Sequence, residues 1–247
     1  MIGDTIARQG AWLFRWRSYI LLGFLPLGLL AISKPEAIEV NFGELADSLY
    51  ETACIGLAFL GLAIRAFTVG FVPAGTSGRN TSRQIADTLN TTGAYSLTRN
   101  PLYLGNAVVC VAIALFTQDL SFSILMVLFL VIYLERIIAT EERFLAEKFG
   151  AAYTEWTANV PVFFPRLTGW TRPELPFSVR NVLRREYSSL FAVVAALFAI
   201  EAVRDKLVER EPGADPAWIG FFAFGAAVYL GLRWMKKNTT LLNVSGR

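Results

Sequence analysis

The sequence predicts an all-α membrane protein, a bundle of about six transmembrane helices that includes a short helical hairpin. Apolar residues make up 54% of the 247 residues, and the mean hydropathy is +0.46. The apolar residues are gathered in long runs, separated by segments rich in charge, glycine or proline. Basic residues are concentrated in alternate connections between these runs, which is typical of polytopic membrane proteins.

Composition also excludes several classes of function. A net charge of +3 argues against a nucleic-acid partner. The chain has no histidine, which excludes histidine metal sites and Ser-His-Asp triads. Cys54 and Cys110 both lie inside apolar runs, so we expect small buried side chains and neither a disulfide nor a metal site.

The first 17 residues combine arginines with aromatic residues such as Trp12 and Trp16. This composition favours a helix that lies in the membrane interface. Residues 18–32 form the first apolar run. The run is short enough for the core of a signal peptide, but several further spans follow it, so we expect a transmembrane span.

The second span is expected at residues 49–72. The third, at 102–116, and the fourth, at 122–134, are joined by a tight polar turn, and each is shorter than the roughly 20 residues that a lone transmembrane helix needs. We therefore expect a hairpin that lies partly within the bilayer or extends beyond its apolar core. The fourth helix should continue to about Phe149 and end at Gly150.

The rest of the chain contains two more expected spans. Residues 153–187 carry prolines and arginines and should lie outside the membrane. The fifth span is expected at residues 188–203 and the sixth at 217–234. Three regions result: an N-terminal region (1–92) with two spans and a polar loop, a central core (93–165), and a C-terminal region (166–247) with a linker and two spans.

Charge bias gives the expected orientation. The N-terminus, residues 74–93, residues 136–187 and the C-terminus are basic, whereas the connections between them are acidic or balanced. With six spans, both termini and all the basic connections face the cytoplasm.

Residues 93–105 lie between a polar and an apolar segment. Proline suits the first position of a helix, and the residue before proline avoids the helical region, so we expect Asn100 to cap a helix that begins at Pro101. Arg99 adds a guanidinium beside the free backbone N–H groups of this helix start, and such an end favours anions.

Four pieces of the chain, in this order and spacing, resemble one family. They are Arg99-Asn100-Pro101-Leu102-Tyr103-Leu104-Gly105-Asn106, then Glu141-Glu142, then Phe149-Gly150 with Tyr153 and Trp156, and finally Val160-Pro161. Over about residues 93–165 the chain is similar to the integral-membrane methyltransferases typified by isoprenylcysteine carboxyl methyltransferase and the phospholipid methyltransferases. Residues 75–93 resemble a narrower branch, the bacterial lipid A phosphate methyltransferases. One position departs from the pattern, because Asn100 stands where histidine is usual; asparagine can hydrogen-bond but cannot titrate.

The resemblance implies S-adenosylmethionine as cofactor and residues 93–165 as the methyltransferase core. It implies catalytic roles for Arg99, Asn100 and Tyr103. The implied cofactor-binding residues are Arg99, Asn100, Pro101, Tyr103, Leu104, Gly105, Glu141, Glu142 and Tyr153. Other roles stay open at this point: Arg99 can reach lipid headgroups, Gly105 can let a neighbouring helix approach, and the glutamate pair can form a solvated helix face.

The chain has no histidine, and no obvious catalytic lysine lies near residues 99–106, which we call the motif. An acceptor that is already an anion is therefore favoured, because an ammonium must first lose a proton. The hydroxyls and arginines of residues 76–83 suit a phosphate, although a solvated loop can have the same composition. The substrate-binding residues expected on these grounds are Arg79, Asn80, Arg83, Arg136, Arg184 and Arg185.

The predicted reaction is methylation of a lipid phosphate, with the 1-phosphate of lipid A as the first choice. The alternatives are carboxyl methylation of a prenylated cysteine, amine methylation of a phospholipid, and a lipid-binding or transport protein without catalysis. The expected partners are a membrane lipid and the bilayer, with no metal. We expect a bacterial inner-membrane location with the site on the cytoplasmic side. Four aromatic residues either cover the cofactor cleft or lie on the membrane: Trp156, Phe163, Phe164 and Trp170.

Overall fold

The computed structural model describes residues 2–17, 19–76, 86–209 and 215–247. Within these ranges the chain forms α-helices joined by turns and has no β-strand, which confirms the predicted all-α class. Short 3₁₀ helices occur at Ile20–Phe24 and Gly93–Ser96. The α-helices are α1 (Ile2–Trp16), α2 (Leu25–Ile32), α3 (Ala37–Phe42), α4 (Glu44–Val69), α5 (Pro101–Phe116), α6 (Leu120–Phe149), α7 (Ala151–Asn159), α8 (Val179–Arg204) and α9 (Pro216–Asn238).

Among the described residues, five helical segments are long and apolar enough to cross a membrane, and α5 is a shorter apolar helix. Together they form the predicted polytopic bundle. The five are Ile20–Phe42, Glu44–Val69, Leu120–Phe149, Val179–Val208 and Pro216–Asn238. The helix that contains the expected fifth span begins before residue 188, at Val179, because Ser178 caps α8 by accepting a hydrogen bond from the backbone of Asn181. A polar first turn therefore precedes the apolar part of this helix.

Helices α4 and α5 touch at two glycines. A Cβ atom added to Gly61 would lie 2.7 Å from the carbonyl oxygen of Gly105, and one added to Gly105 would lie 2.8 Å from that of Gly61. Only glycine permits so close an approach of two backbones. Toward the start of α4 and the end of α5, the two helices share a core with α8. It is formed by Cys54, Ala58, Leu62, Ala112, Phe116, Val193 and Leu197.

The predicted hairpin is present, and its second helix extends as expected. Asp119 caps α6 by accepting a hydrogen bond from the backbone of Phe122, and it also pairs with Lys34. The hydrogen bond from Lys34, followed by that from Phe122, lowers the pKa of Asp119. With 30 residues, α6 is about 45 Å long, which exceeds the roughly 30 Å thickness of a bilayer core. It ends at Gly150, which has a φ of 54°.

The two ends of the bundle differ in chemistry. One end, where α4 ends and α5 begins, we call the motif end. At the opposite end Arg204 is 1% exposed, and its Nη2 donates to the carbonyl of Phe116 at 3.1 Å. Its Nη1 lies 3.4 Å from Glu51 and 3.3 Å from Glu201 and also contacts Glu36. This buried network joins α4, α5 and α8 and was not predicted, because Arg204 stands at the edge of a charged connection in the sequence.

Candidate functional site

The start of α5 is held by the segment that follows α7. These hydrogen bonds fix the backbone just before Pro101, at the motif end of the bundle. They are Arg99 N to Pro161 O at 2.9 Å, Asn100 Nδ2 to Val162 O at 2.9 Å, and Thr98 Oγ1 to Phe163 O at 2.8 Å.

Arg166 strengthens the same contact. Its Nε donates to the carbonyl of Ser96 at 3.1 Å, and its Nη1 donates to that of Asn159 at 2.6 Å. Its backbone N–H also bonds to the carbonyl of Leu97 at 3.0 Å. The guanidinium is therefore used to join two segments of this protein. This role could not be predicted, because in the sequence Arg166 is one of several arginines in residues 153–187.

Asn100 stands at the capping position of α5, with φ −128° and ψ 54°. The prediction that its side chain caps the helix is wrong, because the side-chain amide donates to Val162 instead. Asn100 thus joins α5 to the segment after α7.

Arg99 forms an ion pair with Glu142 of α6. Arg99 Nη1 lies 2.9 Å from Glu142 Oε1, and both side chains are largely buried. Tyr153 of α7 is 6% exposed and lies beside this pair, and its burial, followed by the charge of Glu142, raises its pKa to about 12. Glu142 Oε1 is occupied by the ion pair with Arg99 Nη1, and the Tyr153 hydroxyl lies beside the same guanidinium. Among the described residues, Arg99 Nε has no hydrogen-bond acceptor. The pair therefore places a charged contact, with Arg99 Nε still open to an acceptor, beside the start of α5.

A second polar pair lies next to the first. Tyr103, on the first turn of α5, donates its hydroxyl proton to Glu141 Oε1 at 2.8 Å. Arg17, just after α1, lies 3.8 Å from the same carboxylate. Two carboxylates and two guanidiniums thus meet at the motif end. Arg17 was predicted only as part of an interfacial helix, and its charge pairing could not be foreseen from its sequence position.

The remaining motif residues lie in packed surroundings. Pro101 is fully buried at the first position of α5, and Leu104 is half-buried. Gly105 faces α4, where an added Cβ would lie 2.6 Å from the Cγ atom of Arg65. The alternative left open for Gly105, a close helix approach, is therefore what the structure shows.

Arg65 is the centre of a buried polar contact among three helices. Its Nε and Nη2 donate to the two carboxylate oxygens of Glu186 on α8, at 2.8 and 2.9 Å. Its Nη1 donates to the side chain of Asn106 on α5. Such a two-pronged pair fixes geometry as well as charge, so it secures α4, α5 and α8 beside the motif.

The expected substrate-binding residues do not form one group. Arg79, Asn80 and Arg83 lie outside the described residues. Arg184 Nη1 donates to the carbonyl of Arg247 at 3.3 Å, and Arg185 Nη2 donates to that of Thr76 at 3.4 Å. Arg184 therefore lies beside the C-terminal segment, and Arg185 lies beside the residue at which the polar loop begins.

Arg136 lies elsewhere, at a groove between α1 and α6. Its Nε donates to Gln9 Oε1 at 2.9 Å, and its Nη1 donates to the carbonyl of Ile132 at 3.1 Å. The groove has a volume of about 330 Å³ and an almost wholly apolar surface. It is lined by Gln9, Trp12, Leu13, Phe129, Ile132, Tyr133 and Arg136.

One family model matches the central part of the chain. Residues 53–152 match the model of the family described as phospholipid methyltransferase. The matched part covers most of α4, all of α5 and α6, and the start of α7. It therefore contains the Arg99–Glu142 and Tyr103–Glu141 pairs, whereas the neighbouring Arg17 and Tyr153 lie outside it. The match makes about two fifths of the chain similar to a family of membrane methyltransferases. With the apolar helices, it indicates an integral, multi-pass membrane protein.

Two curated relatives come next. The cobalt-zinc-cadmium resistance protein CzcN of Cupriavidus metallidurans is 37% identical over 82 residues, which cover 33% of this chain and 38% of the relative. The nickel-cobalt-cadmium resistance protein NccN of Alcaligenes xylosoxydans xylosoxydans is 26% identical over 134 residues, 53% of this chain and 59% of the relative. The chain thus matches less than two thirds of either protein. No solved structure matches it.

Proposed function

We propose that this protein is an S-adenosylmethionine-dependent methyltransferase whose acceptor is an anionic group on a membrane lipid. One observation carries the proposal. Glu141 and Glu142, neighbours on α6, are each joined to the start of α5, one by Tyr103 and the other by Arg99. The motif and the glutamate pair, far apart in sequence, form one polar site at the end of an apolar bundle.

The residues at this site fit the cofactor. S-adenosylmethionine carries a positive sulfonium, a positive ammonium and a negative carboxylate. Glu141 and Glu142 would bind the positive groups or the ribose hydroxyls, and Arg99 would bind the carboxylate. The arrangement of Arg99, Glu142 and Tyr153 side by side, with Arg99 Nε left without an acceptor among the described residues, supports this assignment.

When bound, the cofactor supplies an electrophilic methyl group on a positively charged sulfur. The protein's own task is to align donor and acceptor and to exclude water. Hydrogen bonds to the carbonyls of residues 161–163 fix Arg99 and Asn100, and the contact with Glu141 fixes Tyr103. Asn100 would orient a bound group without exchanging a proton. A phosphate or carboxylate acceptor needs no base, in agreement with the absence of histidine from the sequence.

For the acceptor we propose a lipid phosphate, with lipid A first. The apolar groove between α1 and α6 supports entry of a lipid from the side, and Arg136 at its edge supports an anionic headgroup. Arg185 lies beside Thr76, just before the polar loop that carries Arg79, Asn80 and Arg83, and these residues remain our predicted phosphate ligands. By the charge bias of the connections, we place the site on the cytoplasmic face of a bacterial inner membrane.

The names of the two relatives offer further support. Both are named as resistance proteins against divalent metals: cobalt, zinc and cadmium for one, and nickel, cobalt and cadmium for the other. Methylation of a lipid phosphate removes negative charge from the membrane surface. A less negative surface attracts fewer divalent cations, so such a reaction is consistent with a role in metal resistance.

Cofactor binding tests the proposal. The full chain, in lipid nanodiscs, is titrated with S-adenosylmethionine by calorimetry. Glu142→Gln should bind at least tenfold more weakly, because it removes the charge opposite Arg99. Glu135→Gln is the matched control, since Glu135 lies on the same helix with a side chain that is 62% exposed. No binding by the unsubstituted protein would contradict the enzyme and favour a lipid-binding protein without catalysis.

A second experiment separates the acceptors. The protein is given methyl-labelled S-adenosylmethionine and vesicles that contain a phosphorylated glycolipid, a prenylated cysteine peptide or phosphatidylethanolamine. We expect label and the mass of one methyl group on the glycolipid. Label on the prenylated peptide alone, or on the amine alone, would overturn the choice of a phosphate while leaving the methyltransferase in place.

A further inference from the structure

The segment between α7 and α8 exposes a series of large apolar side chains. Phe164 is 79% exposed and Leu167 is 98% exposed. Val162, Trp170 and Phe177 are also exposed. Several large exposed apolar side chains in one short segment are typical of a surface that a partner or a membrane covers.

Both ends of the exposed part are attached to the membrane bundle. At one end, Phe163 packs against a cluster that contains Tyr103 of α5 and Ile137 of α6. At the other end, the ring of Trp170 lies 5.7 Å from Phe67 and 6.5 Å from Phe71, at the end of α4. Since α4 and α6 are candidate membrane spans, the segment runs across the motif end of the bundle near the membrane surface.

The aromatic surface continues from a membrane span into this segment. Phe67 is 44% exposed on α4, and Trp170 covers part of it. Aromatic residues at the ends of spans are typical of the headgroup region of a bilayer. Arg172 and Arg180 are exposed in the same segment and at the start of α8, where they complement an anionic leaflet.

We propose that residues 162–170, which we call the leaflet loop, lie on the anionic leaflet at the motif end, with Phe164 and Leu167 inserted at the boundary between headgroups and acyl chains. This assigns Phe164 and Trp170 to the membrane, an alternative to covering the cofactor cleft that the sequence left open. Phe163 instead packs inside, and Trp156 donates to the carbonyl of Tyr95 at 3.3 Å.

The leaflet loop also bears on the site. Its Val162 and Phe163 carbonyls accept hydrogen bonds from Asn100 and Thr98, so the loop and the start of α5 are one unit. The depth of the loop in the leaflet therefore sets the height of the motif relative to lipid headgroups. Only this consequence rests on the proposed function; the contact with the leaflet does not.

Fluorescence quenching in nanodiscs tests the contact. A single cysteine is introduced as Leu167→Cys or Phe164→Cys and labelled with an environment-sensitive fluorophore. The native Cys54 is buried and Cys110 is partly buried, and the unsubstituted chain measures their background labelling. The nanodiscs contain phosphatidylglycerol and a nitroxide-labelled phosphatidylcholine, which quenches only fluorophores that reach the acyl chains.

The matched control is Glu147→Cys. Glu147 lies on α6 about 20 Å beyond Leu134 and is 68% exposed. We expect quenching at 164 and 167 to be at least threefold greater than at 147, with a blue-shifted emission. Equal quenching at all three positions would overturn the proposal in favour of a surface open to water or to a soluble partner. Emission at 164 and 167 that responds to S-adenosylmethionine but not to the nitroxide lipid would also overturn it and make the loop a cover of the cleft.

Discussion

Arg99 Nη1 lies 2.9 Å from Glu142 Oε1, which joins the residue two positions before α5 to the far half of α6. Beside it, Tyr103 and Glu141 join the same two helices. Together these two contacts join the start of α5 and one face of α6 into a single site.

Replacement of Arg99 should impair cofactor binding more than folding. Arg99→Ala removes the guanidinium expected to bind the cofactor carboxylate, so we expect an affinity at least tenfold lower, about 1.4 kcal/mol. Arg99→Lys keeps the charge but loses the planar fork, so its affinity should be intermediate. Calorimetric titration measures both. Arg143→Ala is the control, because Arg143 is 55% exposed on α6 and pairs with Glu147; an equal loss in that variant would argue against a specific role for Arg99.

The pH dependence of methyl transfer should lack the inflection that a catalytic histidine produces. The chain contains none, and Asn100 donates to Val162 without a titratable proton. We therefore expect the rate with a phosphate acceptor to lack an inflection near the usual imidazole pKa of about 6.5. Asn100→His should introduce one if the imidazole reaches the reacting groups. A neutral-pH inflection in the unsubstituted protein that Asn100→Ala abolishes would show that Asn100 takes part in proton transfer after all.

The contact between Gly61 and Gly105 should make the two glycines of α4 respond differently to replacement by alanine. Gly61→Ala places a methyl group 2.7 Å from the carbonyl oxygen of Gly105 and 2.7 Å from the side chain of Val109. We therefore expect it to lower the free energy of unfolding by about 1–3 kcal/mol. Gly56→Ala meets no atom within 4 Å and should be neutral or should stabilise the helix. Thermal unfolding in one detergent compares the two. Equal midpoints would mean that α4 and α5 do not approach closely.

The pair of Asp119 and Lys34 should contribute to stability above acidic pH only. The hydrogen bond from Lys34 lowers the pKa of Asp119 in the folded protein, so its contribution is present above the ordinary pKa of about 3.9 and is lost as pH falls through the lowered value. Asp119→Asn keeps a capping oxygen and should reduce stability by less than about 1 kcal/mol at pH 7. Unfolding midpoints from pH 7 to pH 3 test this. A difference that grows toward low pH would contradict the assignment, and Lys34→Met should shrink the difference at pH 7.

The sequence predicted the fold well because hydropathy alone reports membrane helices. The extension of α6 to Gly150 was also readable, since charged residues kept a helical pattern up to a glycine. The start of α8 was not, because its first turns are polar and depend on the cap at Ser178. Hydropathy cannot report a helix outside the bilayer.

The site was predictable in part. Its residues were identified by the order and spacing of short motifs, and not by the chemical properties of the individual side chains. The motifs named Arg99, Tyr103 and both glutamates, but which residue pairs with which depends on how α5 and α6 lie side by side. Contacts made by Arg17 and Arg166 depend wholly on tertiary placement. The side chain of Asn100 had a local partner available, the free N–H groups of α5, and a distant one, the carbonyl of Val162, and the distant one prevailed.

The central claim is that the Arg99–Glu142 site transfers a methyl group to a membrane lipid. The most direct measurement follows labelled methyl from S-adenosylmethionine into the lipid fraction of nanodiscs, with the unsubstituted chain, Glu142→Gln and Glu135→Gln side by side. We predict label in a phosphorylated lipid with the unsubstituted chain and with Glu135→Gln, and at least a tenfold loss with Glu142→Gln. No label in any lipid with the unsubstituted chain, or equal labelling in all three proteins, would contradict the claim.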